Sequence, residues 1–468
     1  MTRTARRTQG GSKVLGAVFL LPLLLGLAAL VFTGAWHAVT LWFARMPMLS
    51  WLPILAFVLA GLVAGALKGA APKLHARSAL LAMLAVLLVG GMETLFFKSN
   101  GMLGDFSYTS VESLPEQTQP RLLPRSGVRD DPRFQSAGEI HLARDPDTGG
   151  LVWTGEWEKA TFSGPSQGVA VKRLDEMVGS AVVPAGFDHS VAGLGPGTIK
   201  WKAKLEHPFS RIQYPVVVPT GPDEAIAVMP YMAYRGFPFR RPYLKGVLVY
   251  HQDGRTEDLT PEEAARRPEL GRSGRIFPEV LARKQAEAIA RSDEIDGKIV
   301  DGEGNRQPFL TALDDTRTVW VTVIDATERP AGVKAVVLTD SVTGATEVWK
   351  APEGVRLAPT QHVINDARSL PLRWEERRCC DSDGHSYDVT LREVVEPRLA
   401  FKDGHPYYMV TVVPTSELAL PREIEYTLLL DAVTGERIDQ FRHVEGGEAE
   451  DARLQAFFAR EGERATER

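Results

Sequence analysis

Apolar residues are distributed in two unlike ways along this chain. Up to residue 97 they form three long blocks, at residues 14–36, 49–67 and 78–97, and from residue 14 to residue 44 there is no Asp, Glu, Lys or Arg. A hydrocarbon layer ~30 Å thick needs ~20 apolar residues as helix, so each block is predicted to be a transmembrane helix. Glu93, near the far end of the third block, is read as snorkelling to the interface, and the three helices as an anchor. Beyond residue 138 the apolar positions shorten into β-branched and aromatic runs. Ala225-Ile-Ala-Val-Met229, residues 245–250, Thr318-Val-Trp-Val-Thr-Val-Ile324 and Tyr408-Met-Val-Thr-Val-Val413 are predicted strands. Helical spacing is rarer. Val280, Leu281 and Ile289 follow Pro278 over residues 278–290, Thr260-Pro-Glu-Glu263 has the capping-box spacing, and residues 451–460 read as a charged terminal helix.

Several strands end in the same way. Asp-x-x-Thr-Gly closes them at Asp145-Pro-Asp-Thr148-Gly149, Asp340-Ser-Val-Thr343-Gly344 and Asp431-Ala-Val-Thr434-Gly435, and a looser copy, Asp253-Gly254, closes residues 247–253. Asp and Thr side chains can bond nearby backbone groups, and Gly tolerates left-handed geometry, so the motif predicts a chain reversal into a further strand. These carboxylates are read as makers of turns, not as acids or ligands.

Charge divides the chain as the apolar pattern does. Residues 1–97 carry a net +7 and residues 98–468 a net −12, within a whole-chain charge of −5. An acidic remainder without a basic stripe argues against a nucleic-acid partner. Arg3, Arg6, Arg7 and Lys13 precede the first block, and Lys68, Lys73 and Arg77 lie between the second and third. This places the N-terminus in the cytoplasm and the bulk outside a cell (inner or plasma) membrane, a multi-pass placement. If the first block is a cleaved signal peptide, the bulk still lies outside. Residues 98–137, with closely spaced prolines, read as an extended linker. A first hairpin-rich region over 138–260, a helix-plus-hairpin unit over 261–350, a second hairpin unit over 351–445 and a charged tail over 446–468 complete the division. The fold class expected is α+β: three N-terminal transmembrane helices, then a large extracytoplasmic domain of repeated antiparallel β-hairpin units with short helices.

The order helix, strand, strand ending in an Asp-x-x-Thr-Gly turn, short return strand resembles the PepSY family of small extracytoplasmic domains. The resemblance covers residues 278–350 and 390–442 and is carried best by Asp431-Ala-Val-Thr-Gly-Glu436; Asp340-Ser-Val-Thr-Gly-Ala345 lacks the acid after Gly. It implies a regulatory or inhibitory, non-enzymatic module of the bacterial cell envelope.

Candidate chemistry is sparse. Cys379, Cys380, Asp383 and His385 bring two thiols, a carboxylate and an imidazole within seven residues. A metal site, a thiol-redox pair, and a plain turn carrying a disulfide or inert thiols are all open, with the turn preferred because adjacent cysteines rarely share one ion. Gly164-Pro-Ser166-Gln-Gly168 has the letters of a nucleophile elbow without the strand–turn–helix context. Asp301-Gly-Glu303-Gly-Asn305 resembles half a calcium loop but has Ala312 where the closing glutamate belongs. No histidine pair has metalloprotease spacing. A loop rich in rings and guanidinium groups, with Tyr231, Tyr234, Phe237, Phe239, Arg240 and Tyr243, suits partner recognition, the alternative being that these rings cover a sheet face. The expectation is a membrane-anchored binding, scaffold or regulatory protein without catalytic residues or a cofactor, with the lipid bilayer and an envelope protein as partners. The alternatives are an envelope metal-binding or thiol-redox protein centred on Cys379 and Cys380, and an accessory subunit of a membrane transport or secretion complex.

Overall fold

The computed structural model describes residues 107–117 and, with internal breaks, 140–458, together with residues 37, 40, 41, 128 and 134. Strand β1 (Thr109–Val111) comes first. Sheet one follows as β2 (His141–Arg144), β3 (Leu151–Trp157), β4 (Gly168–Arg173) and β5 (Ala181–Val183), then helix α1 (Ile199–Glu206). Sheet two holds β6 (Arg211–Ile212), β7 (Val216–Gly221), β8 (Glu224–Arg235), β9 (Arg241–His251) and β10 (Thr256–Leu259). Helices α2 (Pro261–Ala265), α3 (Pro268–Gly271) and α4 (Glu279–Ala290) lead to sheet three, with β11 (Gly297–Ile299), β12 (Phe309–Ala312), β13 (Thr318–Ala326), β14 (Val333–Asp340) and β15 (Thr346–Lys350). Helix α5 (Thr360–Ser369) and a hairpin of β16 (Arg378–Cys380) and β17 (Ser386–Asp388) precede sheet four, made of β18 (Arg392–Lys402), β19 (His405–Pro414), β20 (Tyr426–Asp431) and β21 (Arg437–Arg442). Helix α6 (Glu448–Phe458) comes last.

Each sheet contains a run of four strands that pair antiparallel in chain order: β2-β3-β4-β5, β7-β8-β9-β10, β12-β13-β14-β15 and β18-β19-β20-β21. Four such meanders make a four-blade propeller-like arrangement that is 46% strand and 19% helix. This corrects the α+β expectation. The short helices cap and cover sheets instead of forming a layer of their own, because the strands themselves supply most of the apolar surface. The membrane expectation is corrected with it. Among the described residues no helix is long and apolar enough to cross a membrane, and residues 14–36, 49–67 and 78–97 lie outside the described residues. The multi-pass membrane placement, and the side of the membrane derived from it, thus find no support in the described helices.

Both faces of the central strands are buried, which is why they read as near-continuous apolar runs. In β8, Ala225, Ala227, Met229 and Tyr231 face α1 and Val169 of sheet one. The alternate residues Ile226 and Val228 pack with Ala143 and Val152 of sheet one, Ala264 of α2 and Leu270 of α3. In sheet three, Val319, Val321 and Val323 meet Phe401, Tyr408 and Val410 of sheet four and Val363 and Ile364 of α5. Its other face puts Ile324, Ala335 and Val337 against Ala286 and Ile289 of α4. Trp320 joins sheet three to sheet one, packing with Leu142, Trp153 and Leu281 while its indole N–H donates to the Phe277 carbonyl at 2.9 Å.

The helix ends follow their sequence signals. Thr260 makes both bonds of a capping box with Glu263, and Pro278 stands just ahead of α4 as its N-cap. Residues 107–117, the described start of the stretch read as a linker, pack onto the sheets. β1 pairs parallel with β15, and Leu114 enters the core between sheets three and four. The buried Gln117 amide donates to Thr311 Oγ1 and the Ala312 carbonyl at 2.7 and 2.8 Å, and its carbonyl accepts from Phe401 N–H at 3.2 Å.

The three Asp-x-x-Thr-Gly sequences form one turn. At Asp340, Oδ1 accepts from the N–H groups of Val342 and Thr343 and from Thr343 Oγ1 at 3.0, 2.7 and 2.9 Å, and Gly344 N–H returns to the Asp340 carbonyl at 2.9 Å. Asp431 accepts likewise from Val433 and Thr434, and Asp145 from Asp147 N–H and Thr148 Oγ1. The closing glycines have φ of +72°, +78° and +76° at Gly149, Gly344 and Gly435. Their surroundings differ. A Cβ on Gly149 meets nothing within 4 Å, whereas one on Gly344 falls 2.5 Å from the Phe277 ring. Gly149→Ala is expected to cost about 1–2 kcal/mol, the penalty of a left-handed residue with a Cβ. Gly344→Ala is expected to cost clearly more, since a packed ring must also move. Urea denaturation of the two variants checks this, equal losses being the contrary result.

Candidate functional site

Large apolar side chains left in water concentrate at one place. Phe209, Tyr214 and Leu205 are 62%, 50% and 49% exposed, and of the large hydrophobics exposed among the described residues only Ile438 lies elsewhere. The three belong to the C-terminal end of α1, the turn that follows and the start of sheet two. The local sequence explains their position. Thr198 caps α1 by accepting from Trp201 N–H, and Ile199 and Ala203 bury its inner face, which leaves Leu205 outside. His207 N–H closes the helix on the Ala203 carbonyl, and Ser210 N–H turns back to the His207 carbonyl. That turn carries Phe209 outward between the buried Ala203 and Ser210. The Lys200 ammonium lies 3.3 Å from the centre of the Tyr214 ring and ties it to α1.

Beside this patch stands a polar cluster on the edge of sheet two. The buried Tyr231 hydroxyl donates to Asp258 Oδ1 at 2.9 Å. The His207 ring stacks on Tyr231 with centroids 4.2 Å apart, and its Nε2 is 3.5 Å from Asp258 Oδ2. Lys245 Nζ lies 5.9 Å from the centre of the same tyrosine ring. Gly246 is required here, because a Cβ on it would fall 2.6 Å from the Tyr231 hydroxyl. Burial lowers the His207 pKa, outweighing the pull of Asp258, so the imidazole is neutral at pH 7. Burial and the Asp258 bond push the Tyr231 phenol up, and burial lowers the Lys204 ammonium. A neutral ring, a phenol held protonated and a carboxylate form a recognition surface with fixed donors and acceptors, without an activated nucleophile. A piece of the N-terminal region already meets the body here: Thr40 Oγ1 donates to the Pro208 carbonyl, and the buried His37 bonds to the backbone of Ser210 and His207.

The residues singled out from sequence fall as follows. Tyr231, Tyr234 and Tyr243 lie on β8 and β9 in this same sheet. Tyr231 is buried in the cluster just described, Tyr234 is half-buried, and Arg235 covers the half-buried Tyr243 ring at 4.7 Å. Phe237, Phe239 and Arg240 lie outside the described residues. Cys379 and Cys380 both stand in β16, opposite Tyr387 and Ser386 of β17, while Asp383 and His385 lie outside the described residues. Among the described residues no group of three or more His, Cys, Asp or Glu side chains is placed to hold a metal ion. Ser166 is buried, and its Oγ accepts from Phe187 N–H at 3.1 Å, a structural bond and not a presented nucleophile. Both oxygens of Asp301 accept from Arg283, at 3.0 and 2.8 Å, while Glu303 and Asn305 lie outside the described residues. Leu205, His207, Phe209, Tyr214 and Asp258 were not singled out from sequence. The signal available was the alternation of lysines with apolar and aromatic residues at Ile199-Lys-Trp-Lys-Ala-Lys-Leu205.

A second perturbed group, Asp325 of β13, is sealed between sheets three and four. It is 4% exposed, and its Oδ1 has no hydrogen-bond partner. Burial pushes its pKa up to about 6 from 3.8, against a smaller opposing effect of Lys298. Such a shift marks some catalytic acids; the neighbours of Asp325 among the described residues include Val323, Val333, Tyr408 and Lys298, none of them a nucleophile activated by a base. The raised pKa means that the folded state holds this proton more tightly than the unfolded one. The penalty of burying the carboxylate is absent below the unfolded pKa of about 4, grows as pH rises, and is complete above about 6. It amounts to roughly 3 kcal/mol. Asp325→Asn is therefore expected to raise stability by about 2–3 kcal/mol at pH 8 and hardly at all at pH 4. Denaturation at the two pH values tests the sign.

No protein-family model matches this chain, and no curated protein matches it.

Proposed function

We propose that this protein is a non-catalytic binding module, of scaffold or regulatory type, which engages a protein partner through the surface formed by α1, the turn after it and the adjoining edge of sheet two. The observation that carries this reading is the concentration of Phe209, Tyr214 and Leu205, exposed within ten residues of one another. Exposed apolar patches of this kind mark interaction sites, and aromatic anchors beside cations dominate interface energetics. The rigid network of Tyr231, Asp258 and His207 beneath them presents the patch in one geometry, which reduces the entropy lost on association.

Cross-linking in the cells that make the protein tests this. With benzoylphenylalanine in place of Phe209 in the full chain, irradiation is expected to give a discrete adduct with another protein. The same probe at Glu262, exposed on α2, is expected to give none. Indistinguishable patterns at the two sites would remove the proposal.

A further inference from the structure

We infer that the partner segment received by this surface is acidic and apolar: a stretch of protein with Asp or Glu interleaved with large hydrophobic side chains. This rests on the reading that the surface is an interface, and adds the chemistry of what it takes. The first ground is the sign of the charge around the exposed rings. Lys200 sits on the Tyr214 ring, Lys245 reaches over the Tyr231 ring, and Lys204 follows one turn along α1. Among the described residues the carboxylates that act on His207 are Asp258 and Glu206, and Asp258 accepts from the Tyr231 hydroxyl. The patch is thus positive on a body whose residues 98–468 carry a net −12. A local reversal of sign, surrounding exposed apolar side chains, selects a partner of negative charge, because like-charged surfaces pay repulsion and desolvation on approach.

The second ground is the state of Lys204. It is half-buried, and the loss of water around it lowers its pKa, with His37 close enough to be lowered in turn by its charge. A partly desolvated ammonium gains more from an incoming carboxylate than a fully hydrated one does, since less water has to be displaced. The third ground is shape. Leu205, Phe209 and Tyr214 are exposed at a helix end and along the chain that follows it. Side chains that alternate with acids along a peptide can seat between them while the carboxylates reach the lysines at the rim.

The probe is a fluorescently labelled copolymer of glutamate and tyrosine, titrated into the full-length protein and followed by anisotropy. Saturable binding is expected, weakening as salt is raised from about 0.05 to 0.5 M because surface charge pairs are screened. A copolymer of lysine and tyrosine is expected not to bind. Phe209→Ser with Tyr214→Ser, both at exposed positions, should weaken binding by about tenfold or more, as should Lys200→Glu with Lys204→Glu, corresponding to about 1.4 kcal/mol each. Thermal melts of both variants show whether the fold is kept, and a single Phe209→Ser variant serves if the lysine pair unfolds. Equal binding by the serine variant, preference for the lysine copolymer, or tighter binding to phosphatidylglycerol vesicles than to the copolymer would overturn the inference. Failure here with a protein adduct still formed at Phe209 rejects the acidic partner alone. Absence of that adduct rejects the interface itself.

Discussion

A sheet whose two faces are both apolar is stable in water only when both are covered, and the four sheets of this protein meet that demand by covering one another. Sheet two has sheet one and α1 on one side and sheet one with α2 and α3 on the other. Sheet three lies between sheet four and α4, and sheet four is closed by α6. At about 25 cal/mol for each square ångström removed from water, face-to-face burial on this scale is the term that offsets the conformational entropy of so many ordered strands. The positions of the helices follow from it. Each is short and lies where a sheet face would otherwise meet solvent.

Much of this arrangement was legible in the chain, for a local reason. A strand buried on both faces shows a continuous apolar run, and the turn that ends it needs Asp, Thr and Gly at fixed places. Residues 318–324, 408–413 and the turns at Asp340 and Asp431 could be read from neighbours a few positions away. The capping box at Thr260 was equally local. The assembly was less accessible. Nothing in the sequence of residues 107–117 announces that Gln117 spans two sheets, since its partners are nearly two hundred and nearly three hundred residues distant. The α+β expectation failed for a related cause. One clear helix, α4, was taken as part of a repeating unit, whereas the unit that repeats is a meander of four strands.

The candidate surface divides in the same way. Tyr231, Tyr234 and Tyr243 stand out in the sequence because rings cluster in their segment, and they lie on β8 and β9 of sheet two. Their roles could not be read, because Tyr231 is turned into the protein by Asp258 and His207, residues from two other elements. The exposed Phe209 and Tyr214 are ordinary aromatics in the sequence, since exposure belongs to the packed structure and leaves no mark in composition. Conversely, Asp301 and Ser166 had the letters of functional motifs and are occupied by Arg283 and by Phe187 N–H. A motif states which groups are near in sequence. It does not state what already satisfies them.

The strand addition at the start of the body has a consequence for the order in which the protein is made. β1 pairs with β15, and Gln117 and Phe401 are bonded across a separation of 284 residues. At about 5–20 residues per second, synthesis of that interval takes roughly 15–60 s. Within it Gln117 can meet Thr311 and Ala312 of β12 before Phe401 is made, and the β15 edge stays unpaired from the formation of sheet three until β1, already synthesised, docks on it. An edge of that kind recruits other strands. A contact that spans this much chain joins a segment to a partner made long after it, and until β1 docks the β15 edge is open to pairing with a neighbour.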